Sequence, residues 1–193
     1  PRRRELLGGL DIPYEVHVLK AIDQSYPNSL PVNEVAGFIA QKKAVPYKEW
    51  FADAQYVPSD IKMTDNTVIV TADTVVAVDD EILGKPVSRD DAHRMLRLIS
   101  GRTHQVFTGV CLLSAKYEKS FSVCTDVTFR ELTDEEIYYY IDHYKPFDKA
   151  GAYGIQEWIG YIGVTRLEGS YFNVMGLPVQ RINDELHMMA QLL

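Results

Sequence analysis

The segment VIVTADTVVAV, residues 68–78, most strongly limits what this chain can fold into. Its β-branched content predicts a strand that is buried on both faces, as in the middle of a sheet. A carboxylate, Asp73, lies in the centre of this strand. Because an unpaired charge in apolar surroundings is costly, hydrogen-bond donors or a bound cation must stabilise it. Asp73 is therefore a candidate structural acceptor, metal ligand or general base.

The surrounding pattern mixes strands and helices without strict alternation. Residues 79–82 predict a tight turn into a short strand, and 88–101 predict a helix that is capped by Ser88 and ends at Gly101. Further elements are expected as antiparallel strands at 104–115 and 119–130, strands at 158–166 and 170–175, helices at 29–44, 133–144 and 183–193, and an irregular segment at 46–60. The mixture predicts an α/β or α+β fold with a mixed sheet, not a doubly wound parallel one.

Composition narrows the function classes. The 193 residues suit one domain or two lobes that share a core, and no apolar run approaches the roughly 20 residues of a membrane span. The net charge of -7 argues against a general nucleic-acid binder. Cys111 and Cys124 are expected to be a buried, reduced pair, which fits a cytoplasmic protein. Because the chain starts at Pro1 without a Met, we expect further residues upstream.

Two segments could bind an anion. PRRRELL, residues 1–7, places three arginine side chains at the expected start of a helix. The paired N–H groups of a guanidinium match pairs of phosphate oxygens. LGKP, residues 83–86, holds Lys85 between a glycine and a proline, in a stiff turn that follows the Asp73 strand. Each segment taken alone could equally be a solvated surface turn.

The segment FDKAGAYGIQ, residues 147–156, could bind a ligand through backbone and side chain. Gly151 and Gly154 allow close backbone approach, and Lys149 supplies a charge. The amide of Gln156 could read the polar edge of a base, although a mobile surface loop is the alternative. The P-loop, G-x-G-x-x-G, G-x-S-x-G and H-E-x-x-H patterns are absent from the sequence, and the five histidines show no ligand spacing.

Taken together and in order, these segments resemble the Maf family of nucleoside triphosphate pyrophosphatases. The matching segments are PRRRELL with the family's S-x-S-P-R-R-x-E-L-L, Ala72-Asp73-Thr74 with its ADT, Lys85-Pro86 with its KP, residues 148–156 with its DKAGAYGIQ, and residues 169–178 with its GSY…V-GLP. The resemblance implies one Maf-like domain over 1–193, with an elongated mixed sheet flanked by helices and two lobes around a central cleft. That fold is similar to inosine triphosphate pyrophosphatases. It also implies that a strand and the motif's serines lie upstream of Pro1.

ADT combined with YGIQ resembles the branch of the family that acts on dTTP and UTP. The resemblance implies that Asp73 is the catalytic acid-base residue. It implies that Arg3, Thr74 and Gln156 set base choice. Lys43 in AQKKA, with Lys42 beside it, resembles the lysine of the family's REKA.

Further roles complete the implied site. Lys85 resembles the family's later lysine, and Arg2 and Lys149 would help to bind the substrate. The family usually carries an acidic pair after its second strand. Here AIDQSYP offers Asp23, which with Asp73 would bind a divalent cation, Mg²⁺ or Mn²⁺.

The resemblance implies hydrolysis of a nucleoside triphosphate to a monophosphate and pyrophosphate, in a house-cleaning role. A cytoplasmic homodimer with a small nucleotide substrate is expected, without a nucleic-acid polymer or a membrane as partner. One alternative is a nucleotide-binding regulator of cell division without turnover, against which Asp73 and Lys85 together argue. Another is a purine-directed enzyme similar to inosine triphosphate pyrophosphatases, against which YGIQ argues.

Overall fold

The computed structural model describes residues 1–192. Within this range the chain forms eight α-helices and five β-strands. The helices are α1 (Arg2–Gly8), α2 (Val32–Ala44), α3 (Lys48–Ala52), α4 (Arg89–Ile99), α5 (Asp134–Tyr144), α6 (Trp158–Gly163), α7 (Tyr171–Met175) and α8 (Val179–Leu192). The strands are β1 (Ile69–Val78), β2 (Glu81–Leu83), β3 (Thr103–Leu113), β4 (Glu118–Phe129) and β5 (Val164–Glu168). Short 3₁₀ turns lie at Val45–Tyr47, Ala54–Tyr56, Pro146–Asp148 and Ala150–Ala152.

The strands form one sheet in the order β2-β1-β3-β4-β5. The pairs β1–β2 and β4–β5 are antiparallel. A tight turn joins β3 to β4, and the backbone N–H of Ser114 donates to the carbonyl of Tyr117 across it (2.8 Å). The predicted α/β (α+β) class, with a sheet flanked by helices, is confirmed, as is the strand that carries Asp73.

The chain divides into two compact units. The first unit comprises residues 1–73, 108–122 and 177–193, and the second comprises 74–107 and 123–176. Strands β1, β3 and β4 contribute residues to both units. Within residues 1–192 we find no helix with the length and apolar character that crossing a membrane requires.

The second unit has an apolar core to which α4 and α5 contribute. The Ser88 hydroxyl accepts a hydrogen bond from the Asp91 N–H and starts α4, whereas Thr133 and Glu136 form a capping box that starts α5. The predicted Ser88 cap is therefore confirmed. The core cluster includes Val76, Val78, Leu83, Ala92, Met95, Leu96, Ile99, Val106, Val127, Phe129, Leu132, Ile137, Tyr140 and Ile141.

In the first unit, small residues let α2 lie close to the sheet. Ala36, Ala40 and Ala44 recur every four residues and are fully buried, so they mark one face of the helix. Gly109 of β3 lies directly against the backbone of Ala36 and its neighbour in α2. The Thr71 hydroxyl of β1 donates to the Ala40 carbonyl (2.7 Å). These contacts fix α2 against both β1 and β3.

The strands predicted at 158–166 and 170–175 are wrong over most of their length. Residues 158–163 form α6, which buries Ile159 and Gly163 four positions apart, a helical spacing that the apolar composition concealed. Residues 171–175 form α7, because the Ser170 hydroxyl accepts from the N–H of Asn173 and caps the helix. Only residues 164–168 form a strand.

The cysteine prediction is half right. Both thiols are free, but Cys111 is buried and Cys124 is exposed. Burial alternates along the second half of β4, where Thr125 and Val127 are buried, so Cys124 lies on the opposite face. The segment 46–60, which was predicted to be irregular, contains α3, the 3₁₀ turn Ala54–Tyr56 and part of the 3₁₀ turn Val45–Tyr47.

Candidate functional site

The acid in β1 is paired with a lysine. The Asp73 Oδ1 atom lies 2.8 Å from the Lys43 Nζ atom, and the two side chains are 13% and 18% exposed. Lys43 Nζ also donates to the carbonyl of Ala72 (3.1 Å). A cation from another element therefore stabilises the carboxylate that the sequence places inside a strand.

Helix α2 places Lys43 at this position. The hydrogen bond from Thr71 to the Ala40 carbonyl lies three residues before Lys43 along α2 and two residues before Asp73 along β1. This contact sets the distance between the helix and the strand just where the ion pair forms. Lys42 instead forms an ion pair with Asp23 (2.9 Å), so Lys43 is the lysine that serves Asp73.

Arginines of α1 belong to the same cluster in the first unit. Arg2 and Arg3 lie in the first turn of α1 and are both partly buried. Burial lowers the pKa of Arg3, while the charge of Asp73 raises it and that of Arg2 lowers it further. Asp73 and Arg2 both influence the pKa of Arg3, so these three charges lie near one another. Lys43 is also paired with Asp73, so positive charges outnumber the single negative charge around this carboxylate. Such surroundings suit a polyanionic ligand.

Asp23 lies in a different arrangement. Its side chain is 70% exposed, and its carboxylate accepts hydrogen bonds from Lys42 (2.9 Å) and from the Ser25 hydroxyl (2.7 Å). The hydrogen bond from Lys42, together with those from Ser25, lowers the pKa of Asp23. In the part of the chain that the structure describes, no three His, Cys, Asp or Glu side chains form a group that could hold a metal ion.

In the second unit, the backbone links the Lys85 turn to the glycine-rich segment. The N–H of Gly151 donates to the carbonyl of Gly84 (3.1 Å), directly before the exposed Lys85. Gly151 has φ +71°, and an added Cβ there would lie 2.9 Å from Val76 Cγ1, so only glycine suits the position. The Thr74 hydroxyl donates weakly to the carbonyl of Gly176 (3.5 Å).

Lys149 is paired inside the second unit. Its Nζ atom lies 3.0 Å from Asp148 and 3.2 Å from Glu157, and its side chain is only 12% exposed. The hydroxyl of Tyr140 donates to the same Glu157 oxygen (3.0 Å). Neither Glu157 nor Tyr140 is among the candidate site residues that the sequence predicts. The adjacency of Glu157 to YGIQ was the available signal.

Gln156 is partly buried beside this network. Its Oε1 atom is inaccessible to solvent and has no hydrogen-bond partner among the described residues. A buried carbonyl without a partner typically costs about 1–3 kcal/mol. The Oε1 atom of Gln156 is therefore a hydrogen-bond acceptor that the described residues leave unused.

A buried histidine anchors the glycine-rich segment from another side. His104 of β3 is 1% exposed, and its Nε2 atom is hydrogen-bonded to the hydroxyl of Tyr153. Both rings pack against Phe129 in the core of the second unit. Burial lowers the pKa of His104 from 6.5 to about 4, because an apolar environment disfavours the imidazolium.

Acid is therefore expected to weaken the fold through His104. Because its pKa is lower in the folded chain than in the unfolded chain, protons bind preferentially to the unfolded chain. The stabilisation is complete above pH 6.5 and is lost as the pH falls towards 4. By about pH 5 the loss in the free energy of unfolding should reach about 2 kcal/mol. Urea unfolding at about pH 7.5 and about pH 5 measures it.

The matched control for this prediction is the double variant His104→Phe/Tyr153→Phe. Replacing both partners leaves no unpaired polar group in the core, so the comparison isolates the titration. The difference in unfolding free energy between the two pH values should shrink by about the same 2 kcal/mol. An unchanged difference would show that His104 is not the titrating group.

The sequence is similar to known proteins over nearly its whole length. The profile of the family described as Maf-like protein matches residues 1–189, across both units. A "dTTP/UTP pyrophosphatase" of Phocaeicola vulgatus is 53% identical over 96% of this chain and 90% of its own length. Proteins with the same name from Parabacteroides distasonis and Porphyromonas gingivalis are 50% and 51% identical over 96% of this chain, and over 90% and 88% of their own lengths. The chain belongs to the family of Maf-like proteins.

Proposed function

We propose that this protein hydrolyses dTTP and UTP to the corresponding monophosphate and pyrophosphate. The observation that carries the proposal is that relatives about half identical to the chain, over nearly all of its length, bear the name dTTP/UTP pyrophosphatase. The paired acid Asp73, with Lys43 and Arg3 nearby, provides chemistry that suits the reaction.

In the proposed reaction, the oxygen of a water molecule attacks the α-phosphorus in line, and the bond to the bridging oxygen of pyrophosphate breaks. Asp73 accepts the proton that the water releases, as a general base. Arg2, Arg3 and Lys43 neutralise the triphosphate, on which charge develops in the transition state. Lys43 also orients the Asp73 carboxylate, since it holds one of its oxygens at 2.8 Å.

Gln156 is assigned base recognition in this proposal. The ring of uracil or thymine offers one N–H donor between two carbonyl acceptors, and a glutamine amide offers one acceptor and two donors. The buried Oε1 atom of Gln156 is an acceptor that such an N–H could satisfy. Thr74 takes part in base choice, and the exposed Lys85 contributes positive charge towards phosphate.

A divalent cation, Mg²⁺ or Mn²⁺, fits the proposed chemistry as an ion that the substrate phosphates help to hold. Mg²⁺ is typically bound through one or two carboxylates together with phosphates and water. Asp73 supplies one partly buried carboxylate, and Asp23 is proposed as the second. When bound, the cation would neutralise phosphate charge. A site made of protein ligands alone is not supported over residues 1–192.

The test is pyrophosphate release from a panel of nucleoside triphosphates, with Mg²⁺, with Mn²⁺ and with chelator. We expect dTTP and UTP to be hydrolysed faster than CTP, GTP and ATP, and chelator to abolish release. Faster pyrophosphate release from GTP or ATP than from dTTP and UTP would contradict the substrate assignment. If a folded sample releases pyrophosphate from none of the nucleotides, the proposed enzymatic activity is rejected. The alternative, a nucleotide-binding regulator without turnover, is then favoured. A cytoplasmic homodimer also belongs to the proposal and rests on the family resemblance.

A further inference from the structure

Gln156 lies in a four-residue turn formed by residues 154–157. The backbone N–H of Glu157 donates to the carbonyl of Gly154 (3.0 Å), so Gln156 is the third residue of the turn. The place of its side chain is therefore set by whatever holds Gly154 and Glu157.

One hydroxyl holds both ends of this turn. The Tyr140 hydroxyl accepts a hydrogen bond from the N–H of Gly154 (3.0 Å) and donates to Oε1 of Glu157 (3.0 Å). Tyr140 is fully buried in the core of the second unit, so its ring cannot shift without disturbing α5. A Cβ on Gly154 would lie 2.6 Å from the same Glu157 oxygen, so the absence of a side chain at this position lets the carboxylate lie close to the turn.

Lys149 completes this clamp. Its ammonium lies 3.2 Å from Glu157 Oε1 and 3.0 Å from Asp148, and the Lys149 and Glu157 side chains are 12% and 20% exposed. Two carboxylates neutralise its charge, so little attraction for phosphate is left. Lys149 therefore stabilises the turn indirectly, through its ion pair with Glu157.

Fixing the turn matters because an amide can read two bases. Its acceptor and donors suit the N–H and carbonyl of uracil, and the same amide turned over suits the ring nitrogen and amino group of cytosine. We propose that the clamp formed by Tyr140, Glu157 and Lys149 fixes Gln156 in the position that selects uracil and thymine over cytosine. This inference rests on the proposed function. It makes Tyr140 a positioning residue for specificity.

The test compares Tyr140→Phe with the unaltered protein in two readouts. The first is kcat/KM for UTP and CTP, and the second is equilibrium binding of their non-hydrolysable α,β-methylene analogues. Phe keeps the buried ring and removes only the hydroxyl. We expect the preference for the uracil nucleotide to fall about tenfold in both readouts, mainly through weaker binding of the uracil nucleotide.

Two further variants separate positioning from general damage. Tyr144→Phe changes a hydroxyl on the same helix, on a ring stacked on Tyr140, and should keep the preference. Gln156→Ala should lose the preference, and Tyr140→Phe added to it should cause no further loss, because both act through one amide.

The outcomes are distinct. If Tyr140→Phe lowers activity or binding equally for both nucleotides, or leaves the preference intact, the inference is wrong. Failure of the unaltered protein to release pyrophosphate would reject the proposed function alone, since base preference is still read from analogue binding. Additive losses in the double variant would also overturn the positioning role.

Discussion

Replacing Asp73 by Asn is expected to lower kcat for dTTP by about 10²–10⁴-fold, the usual contribution of a general base. The amide has the shape of the carboxylate but cannot accept the proton of the attacking water. Its oxygen can still accept a hydrogen bond from Lys43, which now lies 2.8 Å from Asp73 Oδ1. The fold should therefore be retained.

Nucleotide binding, unlike kcat, should not be weakened by the replacement of Asp73. Loss of the carboxylate leaves Arg3 and Lys43 without the negative charge that partly offsets them, so the cluster becomes more positive. With chelator present, so that the proposed cation makes no contribution, the triphosphate should bind as tightly as before or more tightly. Single-turnover kinetics measures the fall in the rate of hydrolysis, equilibrium binding measures the nucleotide affinity, and circular dichroism shows whether the fold is retained.

The matched control is Asp142→Asn. This carboxylate forms an ion pair with Arg89 (2.8 Å) but is 47% exposed, so its removal should leave kcat within about twofold. Near-normal turnover by Asp73→Asn would remove Asp73 from the mechanism. Equal losses in the two Asp→Asn variants would mean that a general electrostatic effect, not a general base, is being measured.

Features dictated by short-range chemistry could be predicted from the sequence. The strand around Asp73 follows from its β-branched residues, and the starts of α4 and α5 follow from Ser88 and Thr133, whose side chains satisfy helical N–H groups. In each case the residues that decide the structure lie within a few positions of one another.

Features that depend on distant contacts could not be predicted in this way. The partner of Asp73 lies 30 positions away, and only packing of α2 on the sheet selects Lys43 over Lys42. The partnership of Lys149, Glu157 and Tyr140 likewise depends on how α5 meets the glycine-rich segment. In α6, apolar composition favoured a strand, whereas tertiary packing of Ile159 selected a helix.

A second large effect is expected for Gly109→Ala, which should lower the free energy of unfolding by about 3 kcal/mol or more. A Cβ on Gly109 would lie 2.2 Å from the backbone nitrogen of Gly37 and 2.3 Å from the carbonyl carbon of Ala36. These atoms belong to the backbone of α2 and cannot rotate away as a side chain could. The helix must therefore move off the sheet. Urea unfolding measures the loss.

Gly84→Ala is the matched control, because an added Cβ there meets no atom within 4 Å. Its stability should stay within about 0.5 kcal/mol of the unaltered protein. A Gly109→Ala variant that is equally stable would contradict the close packing of α2 on β3.

The displacement in Gly109→Ala should also reach the candidate site, because Lys43 lies on the helix that must move. A shift of about 1 Å would stretch the Lys43–Asp73 ion pair, and misplacement of that size can cost about 10²-fold in rate. Measured at a temperature and denaturant concentration where the variant is folded, kcat should thus fall as well. A variant that is destabilised but fully active would mean that Lys43 follows Asp73 independently of α2.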